Sequence, residues 1–114
     1  MQTLFRKIPL VIAGAFLLIA AMLTGCESIS EREAREQDPQ FILTQAKQAF
    51  QEKNYQQVFQ LLFPLATIGN DQAQYTLGYL YYHGLGVEKS DSQAMNWIQR
   101  AASQGNPKAI EALK

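Results

Sequence analysis

The side chain with the clearest chemistry in this 114-residue sequence is the thiol of Cys26, the only cysteine of the chain. A single cysteine excludes a disulfide within the chain, and its thiol is a nucleophile that can be alkylated. The residues before it, Thr24 and Gly25, are small enough for a narrow peptidase cleft. The pattern therefore favours covalent modification of this sulfur over an idle cysteine.

A catalytic triad could be assembled on paper from His83, Asp91 and either Ser90 or Ser103. The sequence has no nucleophile elbow and no recognisable oxyanion hole beside these residues. His83 is the only histidine and lies near a predicted helix end, where it suits the helix dipole. No second histidine or thiol is present to complete a metal site with it. We therefore predict no catalytic residues, no metal site and no cofactor.

The residues that precede Cys26 have the order of a signal peptide. Arg6 and Lys7 are followed by nineteen residues, 8–26, without a charge, so a basic region leads into an apolar region and then into small residues. The last four residues of that stretch resemble a bacterial lipobox. The resemblance implies that a diacylglycerol is attached to Cys26 and that residues 1–25 are removed.

Two other interpretations of the apolar segment stay open. About 20 apolar residues can cross a bilayer, so the segment could be an uncleaved single-pass helix, and an ordinary signal peptidase could also cleave it. Pro9 and Gly14 interrupt the run, and the residues after it are acidic. Both features favour lipidation.

The residue after Cys26 bears on the location of the protein. Bacterial lipoproteins of this type commonly carry Asp there when they stay in the inner membrane, and this chain has Glu27. The resemblance therefore implies a lipid anchor in the outer membrane with the protein facing the periplasm, and the inner membrane is the alternative. Two or more fatty chains anchor a protein durably.

Residues 26–38 are predicted to be the acylated cysteine and an acidic tether. Residues 27–38 contain five acids, two arginines and only two apolar side chains, so they cannot cover a core by themselves. Glu31 and Arg35 have the spacing of a helical ion pair, which favours transient helix. If extended, the twelve residues would reach about 40 Å from the membrane.

Residues 39–114 carry the start and stop signals of successive helices and no sustained alternation of period two. Asp38 and Asn70 are predicted N-caps, and Ser90 with Gln93 is a predicted capping box. Pro64 falls inside the second helix and predicts a kink or a break there. The domain is therefore predicted to be all-α.

The chain also contains an internal repeat. Residues 66–73 return 36 positions later as residues 102–109, with Ala, Gly, Asn and Ala in register. A period in the mid-thirties with two helices per unit is typical of a helical solenoid. In that unit Leu77-Gly78, Gly84-Leu85-Gly86-Val87 and Trp97 resemble the Sel1-like repeat, a relative of the tetratricopeptide repeat.

The resemblance covers one full unit, about residues 70–105, and residues 38–69 look like a more tetratricopeptide-like unit. It implies a short Sel1/TPR-like α-α solenoid of about two repeats plus a terminal helix. Solenoids generally need three repeats, so we expect an exposed apolar edge on residues 107–114 that a partner or a second copy covers. A homo-oligomer is thus one alternative.

The resemblance implies that the protein is a scaffold, in which the repeats bind a protein or peptide of the cell envelope. Such an assembly could belong to pilus, secretion or cell-wall machinery. The alternatives are a regulator or enzyme acting on peptidoglycan, and a single-pass inner-membrane protein with the same binding domain. Ten basic and ten acidic residues balance, so no nucleic-acid partner is predicted.

Tyrosines on the third predicted helix are the candidate binding residues. Tyr75, Tyr79 and Tyr82 are four and three residues apart, which places them on one stripe of the helix. The resemblance implies that this helix lines a concave surface, where aromatic side chains are good anchors. The stripe could instead pack on the preceding helices, and an intermediate arrangement exposes Tyr79 and Tyr82 while Tyr75 packs. Uncharged hydrogen-bonding groups of the same surface would be Gln72, Gln74, Gln45 and Gln48.

Mass spectrometry of the protein extracted from membranes tests the lipidation. We expect an N-terminus at Cys26 that carries fatty acyl groups, because the segment before it has the order of a cleaved signal peptide. An intact Met1 would instead establish an uncleaved segment, and an N-terminus without lipid would indicate ordinary processing.

Overall fold

The computed structural model describes residues 29–114, so Cys26 and the apolar segment before it lie outside the described residues. Every regular element of the described part is a helix, which confirms the all-α prediction. The helices are α1 (Ile29–Glu36), α2 (Pro39–Gln51), α3 (Tyr55–Thr67), α4 (Asp71–His83), α5 (Asp91–Ser103) and α6 (Pro107–Ala112). None of the helices in residues 29–114 has the length and apolar character needed to cross a bilayer.

Helix α1 occupies most of the segment predicted to be an acidic tether with transient helix. Its eight residues bury no side chain, and as a helix they span only about 12 Å. Glu31 in the first turn and Arg35 in the last turn both suit the helix dipole, which explains why the segment is helical. The reach of about 40 Å that an extended chain would have therefore does not apply to these residues.

Residues Asp38–Lys114 form one compact unit, and α1 belongs to a separate one. Within this unit each helix from α2 to α6 packs against the next along the chain, as in a helical solenoid. Its core contains small residues of α2 and larger apolar residues of the following helices, among them Ala46, Val58, Leu62, Leu77, Leu80 and Trp97. Trp97 is 7% exposed, in agreement with its predicted place in the core.

One type of turn links α2 to α3, α3 to α4, and α5 to α6. In each turn a residue of positive φ precedes an asparagine, and the pairs are Lys53-Asn54, Gly69-Asn70 and Gly105-Asn106. The asparagine N–H donates to a carbonyl five residues earlier, at 2.9 to 3.1 Å, and the residue before it donates to a carbonyl three residues earlier. These bonds form a Schellman motif, which satisfies carbonyl groups at the end of a helix.

The same asparagine starts the next helix. Its side-chain oxygen accepts from a backbone N–H three residues later, which for Asn70 is the N–H of Ala73 at 2.9 Å and for Asn106 that of Ala109 at 3.0 Å. Asn54 caps α3 in the same way, with a longer bond of 3.4 Å. The sequence predicted a helix boundary at all three turns, but the positive φ of Lys53 has no sequence signal, because lysine is unusual in that conformation.

The loop between α4 and α5 contacts the preceding helix pair through Gly86. This residue has φ +69°, and an added Cβ would lie 2.6 to 2.7 Å from backbone atoms of Tyr55 and Gln56 at the start of α3. Leu85 and Val87, on either side of it, pack on the core. Only glycine allows this contact, because any side chain would collide with backbone that cannot move aside.

Two local predictions are met only in part. Helix α3 is continuous through Pro64, so the predicted break is absent; the proline removes only its own backbone hydrogen bond. The capping box of α5 is half formed: Ser90 Oγ accepts from the N–H of Gln93 at 3.3 Å. The Ser90 N–H, which the box requires for the Gln93 side chain, donates instead to the carbonyl of Tyr81 at 3.0 Å.

Substitutions at the turns should change stability in opposite directions. Lys53 has φ +60°, so Lys53→Gly should raise the free energy of unfolding by about 0.5 to 1 kcal/mol by removing backbone strain. Gly69→Ala should lower it by about 1 kcal/mol, and the added methyl group would meet no atom within 4 Å. Urea unfolding followed by circular dichroism measures both changes. Destabilisation by Lys53→Gly would contradict this account of the turn.

Candidate functional site

A concave groove of about 850 Å³ lies between α2 and α4 and extends to the start of α6. These three helices are the first helices of successive helix pairs, and the resemblance placed the binding surface on such helices. Val58 and Leu62 of α3 lie beneath the floor of the groove and are buried. The remaining lining residues are Gln40, Leu43, Thr44, Ala46, Lys47, Phe50, Gln51, Asp71, Gln72, Tyr75, Thr76, Tyr79, Asn106, Pro107 and Lys108.

Three of the candidate binding residues lie together on this groove, namely Gln72, Tyr75 and Tyr79. Tyr79 is 36% exposed, and its ring lies 5.9 Å from that of Phe50 on the opposite wall. Tyr75 is half-buried and Gln72 is exposed. This is the intermediate arrangement in which Tyr75 packs and Tyr79 stays accessible.

The other four candidates, Gln45, Gln48, Gln74 and Tyr82, do not line the groove. Gln74 is buried, with 4% of its surface exposed. Gln45 and Gln48 are exposed, and Gln48 Nε2 donates to Glu52 of its own helix at 3.0 Å. Tyr82 is 55% exposed, but its ring contacts His83 at 5.0 Å, near the end of α4. The helical spacing of the tyrosines does not show that the opposite wall, α2, ends at Gln51.

Sequence analysis missed the contribution of α2 to the groove. Gln40, Thr44, Lys47 and Gln51 all line it, and their spacing of four, three and four residues places them on one side of a helix. That spacing was visible in the sequence. It gave no indication of function, because the side of a helix opposite its core is normally polar whether or not it binds anything.

Buried amides hold the helices around the groove in place. Gln74 is 4% exposed; its Nε2 donates to the Ala66 carbonyl of α3 at 3.0 Å, and its Oε1 accepts from Gln104 Nε2 at 2.7 Å. Unpaired buried amides cost about 1 to 3 kcal/mol, so these bonds constrain the chain strongly. They tie α4 to the ends of α3 and α5.

A second bond joins the starts of two helices that line the groove. Asn106, only 6% exposed, donates from Nδ2 to Asp71 Oδ2 at 2.8 Å. The same side chain caps α6 by accepting from the N–H of Ala109. One asparagine therefore sets both the start of α6 and its position beside α4.

The residues of the hypothetical triad do not form a catalytic arrangement. The His83 ring packs against Tyr79, with 4.3 Å between ring centroids, and against Tyr82. Ser90 Oγ caps α5, and Ser103 Oγ donates to the carbonyl of Arg100 at 2.7 Å. Within residues 29–114 there is no group of three or more His, Cys, Asp or Glu side chains that could hold a metal ion.

The last helix has an accessible apolar side. Ile110 and Leu113 are each 42% exposed. The residues 36 positions earlier, Gln74 and Leu77, are 4% and 0% exposed, because they lie inside a complete helix pair. The exposed apolar edge expected for residues 107–114 is therefore present in this structure.

Comparison with protein families identifies one repeat. Residues 71–106 match the sequence model of the family described as Sel1 repeat. The matched segment comprises α4, the glycine loop and α5, and it ends at Asn106. The Sel1-like resemblance of this unit is thereby confirmed, and the repeat suggests a protein–protein interaction scaffold.

Several curated proteins are similar to the chain over part of its length. Chitin synthase regulator SKT5 of Saccharomyces cerevisiae is 38% identical over 69 residues, or 60% of this chain and 10% of that protein. ERAD-associated E3 ubiquitin-protein ligase component HRD3A of Arabidopsis thaliana is 38% identical over 56 residues, which are 48% of this chain and 8% of that protein.

A viral protein shows the same kind of similarity. The putative sel1-like repeat-containing protein L18 of Acanthamoeba polyphaga mimivirus is 42% identical over 41 residues, or 36% of this chain and 7% of that protein. The chain thus spans a tenth or less of the length of these relatives. No solved structure matches the chain at the significance that these relatives reach.

Asn106 both caps α6 and bonds Asp71, so its substitution should cost more stability than the loss of a cap alone. Asn106→Ala removes the cap of α6 and the bond to Asp71, and should lower the free energy of unfolding by about 2 kcal/mol. Asn54→Ala, which removes an exposed cap, is the matched control and should cost about 1 kcal/mol. Urea unfolding gives both values. Equal losses would mean that the bond to Asp71 adds no stability.

Proposed function

We propose that residues 39–114 are a protein-interaction scaffold and that the groove between α2 and α4 binds an extended segment of a partner protein. The observation that carries this proposal is the combination of apolar surface and accessible hydrogen-bonding groups in one groove. Its volume of about 850 Å³ falls within the range of ligand sites, about 300 to 1,000 Å³.

The groove offers both anchoring and orienting contacts. Tyr75, Tyr79 and Phe50 supply aromatic surface of the kind that dominates binding energy at interfaces. The side-chain amides of Gln40, Gln51 and Gln72 have no hydrogen-bond partner within residues 29–114. They are therefore available to bond the backbone N–H and C=O groups of a bound segment.

An extended segment suits these groups better than a helix. A helix satisfies most of its backbone hydrogen bonds internally, so it would leave the groove amides to bond side chains alone. An extended segment presents unpaired backbone groups along its whole length. Bonds to these backbone groups do not depend on the sequence of the segment, whereas contacts with the tyrosines would select its side chains.

The comparisons support a scaffold at the level of the repeat. Two of the relatives are named as a regulator and as a component of a ligase, which are roles that binding can perform. We extend only the binding role to this chain. The residues that would carry it are those of the groove, and the relatives themselves are far longer proteins.

We further propose that the scaffold is a lipoprotein of a bacterial outer membrane, acylated at Cys26 and facing the periplasm. Support for the location comes from residues 6–27 alone, since the relatives above come from eukaryotes and a virus. A lipid anchor would hold the groove near the membrane, where a partner of the envelope could be retained. The assembly could be pilus, secretion or cell-wall machinery.

A pair of matched double variants tests the groove. Gln72→Ala with Tyr79→Ala removes two accessible groove side chains, whereas Gln45→Ala with Tyr82→Ala removes the same residue types outside it. Envelope proteins crosslinked to each variant are captured and quantified. We expect about a tenfold or greater loss of the bound partner in the groove variant only, as is typical of an interface hot spot.

All four substituted residues are exposed, so neither variant should unfold, and thermal unfolding checks this. Loss of the partner in the Gln45→Ala, Tyr82→Ala control alone would place the binding surface elsewhere on the molecule. Equal retention in both variants would remove the groove from the proposal.

A further inference from the structure

The groove is lined by two basic side chains and one acidic side chain. Its charged lining residues are Lys47, Lys108 and Asp71. Asp71 accepts a hydrogen bond from Asn106 at 2.8 Å. Neither lysine has an ion-pair partner within the described part of the chain, and both side chains are exposed.

The two lysines lie on separate walls. Lys47 is in the middle of α2, and Lys108 is in the first turn of α6. Charges closer than the screening length, about 8 Å in physiological salt, interact appreciably. The groove presents two ammonium groups and one carboxylate, that of Asp71. This excess of positive charge favours a bound segment with carboxylates over a basic one.

Aromatic rings adjoin this charged region. Phe50 lies between Tyr55 at 5.3 Å and Tyr79 at 5.9 Å, measured between ring centroids. Phe50 and Tyr79 face the groove from opposite walls. A segment that packs an apolar or aromatic side chain on the exposed side of these rings would have its neighbouring residues available to the lysines.

We propose that the occupant of the groove is an acidic, extended segment of a partner protein that also carries an apolar or aromatic side chain. This inference rests on the proposed function and adds the chemistry of the partner to it. The carboxylates of the segment bind Lys47 and Lys108, its backbone bonds the groove amides, and its apolar side chain contacts Phe50 and Tyr79.

Selection from a displayed library of random peptides tests the proposal. The full chain is immobilised in detergent, and the enriched peptides are sequenced. We expect them to carry net negative charge together with an aromatic or large apolar residue. Binding of the most enriched peptide should weaken as salt is raised from about 50 mM to about 500 mM, because screening acts on exposed pairs. Enrichment of neutral or basic peptides would overturn the proposal.

Charge-reversal variants then test whether the two groove lysines cause the preference for acidic peptides. Lys47→Glu with Lys108→Glu should weaken binding of the most enriched peptide about tenfold or more, since two attractions become repulsions. Lys53→Glu with Lys89→Glu makes the same change in net charge at lysines outside the groove, and should weaken it less than about threefold. Equal losses in the two variants would overturn the proposal.

Two further measurements separate this inference from the proposed function. Loss of binding in the Gln72→Ala, Tyr79→Ala variant, with binding kept in the Lys47→Glu, Lys108→Glu variant, would overturn the charge assignment and leave the groove as a binding site. Peptides indifferent to Gln72→Ala with Tyr79→Ala would overturn both. A synthetic peptide of residues 27–38, the acidic segment of this chain, serves as competitor. Full displacement by it, and not by a scrambled peptide of the same composition, would assign the groove to a second copy of the chain and overturn the proposal of a different partner.

Discussion

The arrangement of the helices depends on a turn that ends one helix and starts the next with a single asparagine. In the turns at Asn54, Asn70 and Asn106 the backbone N–H of the asparagine bonds the end of one helix while its side chain caps the following one. Three residues therefore separate consecutive helices, too few to form any other connection. The residue before the asparagine must have positive φ, and that requirement explains the glycines of the internal repeat.

These turns make the groove possible, and buried polar groups give it a defined shape. Because each helix must pack on the one before it, α2 and α4 become the two walls and buried residues of α3 lie beneath them. Gln74 and Asn106 then bond across helix boundaries. An unsatisfied buried amide would be costly, so few relative positions of the helices satisfy both residues at once.

The binding surface does not coincide with the unit that the family comparison identifies. The matched repeat spans residues 71–106, whereas Lys47 and Phe50 come from the helix pair before it and Lys108 from the helix after it. The groove is thus formed between units. Exposed groove side chains such as Lys47, Gln72 and Lys108 can vary without affecting the turns and the core that define the repeat, which is how similar repeats can serve different partners.

Much of the fold of this protein could be predicted from its sequence alone. Helix boundaries, caps and the 36-residue repeat follow from local signals, because a cap or a left-handed glycine acts within a few residues of itself. The predicted helix that carries Tyr75, Tyr79 and Tyr82 is present as α4. Only the tertiary structure decided that Tyr79 lines the groove while Tyr82 and Gln48 do not, and that Lys47 and Lys108 line the same groove. Those facts depend on where α2 ends opposite α4 and how α6 is held by Asp71, and such contacts join residues far apart in the chain.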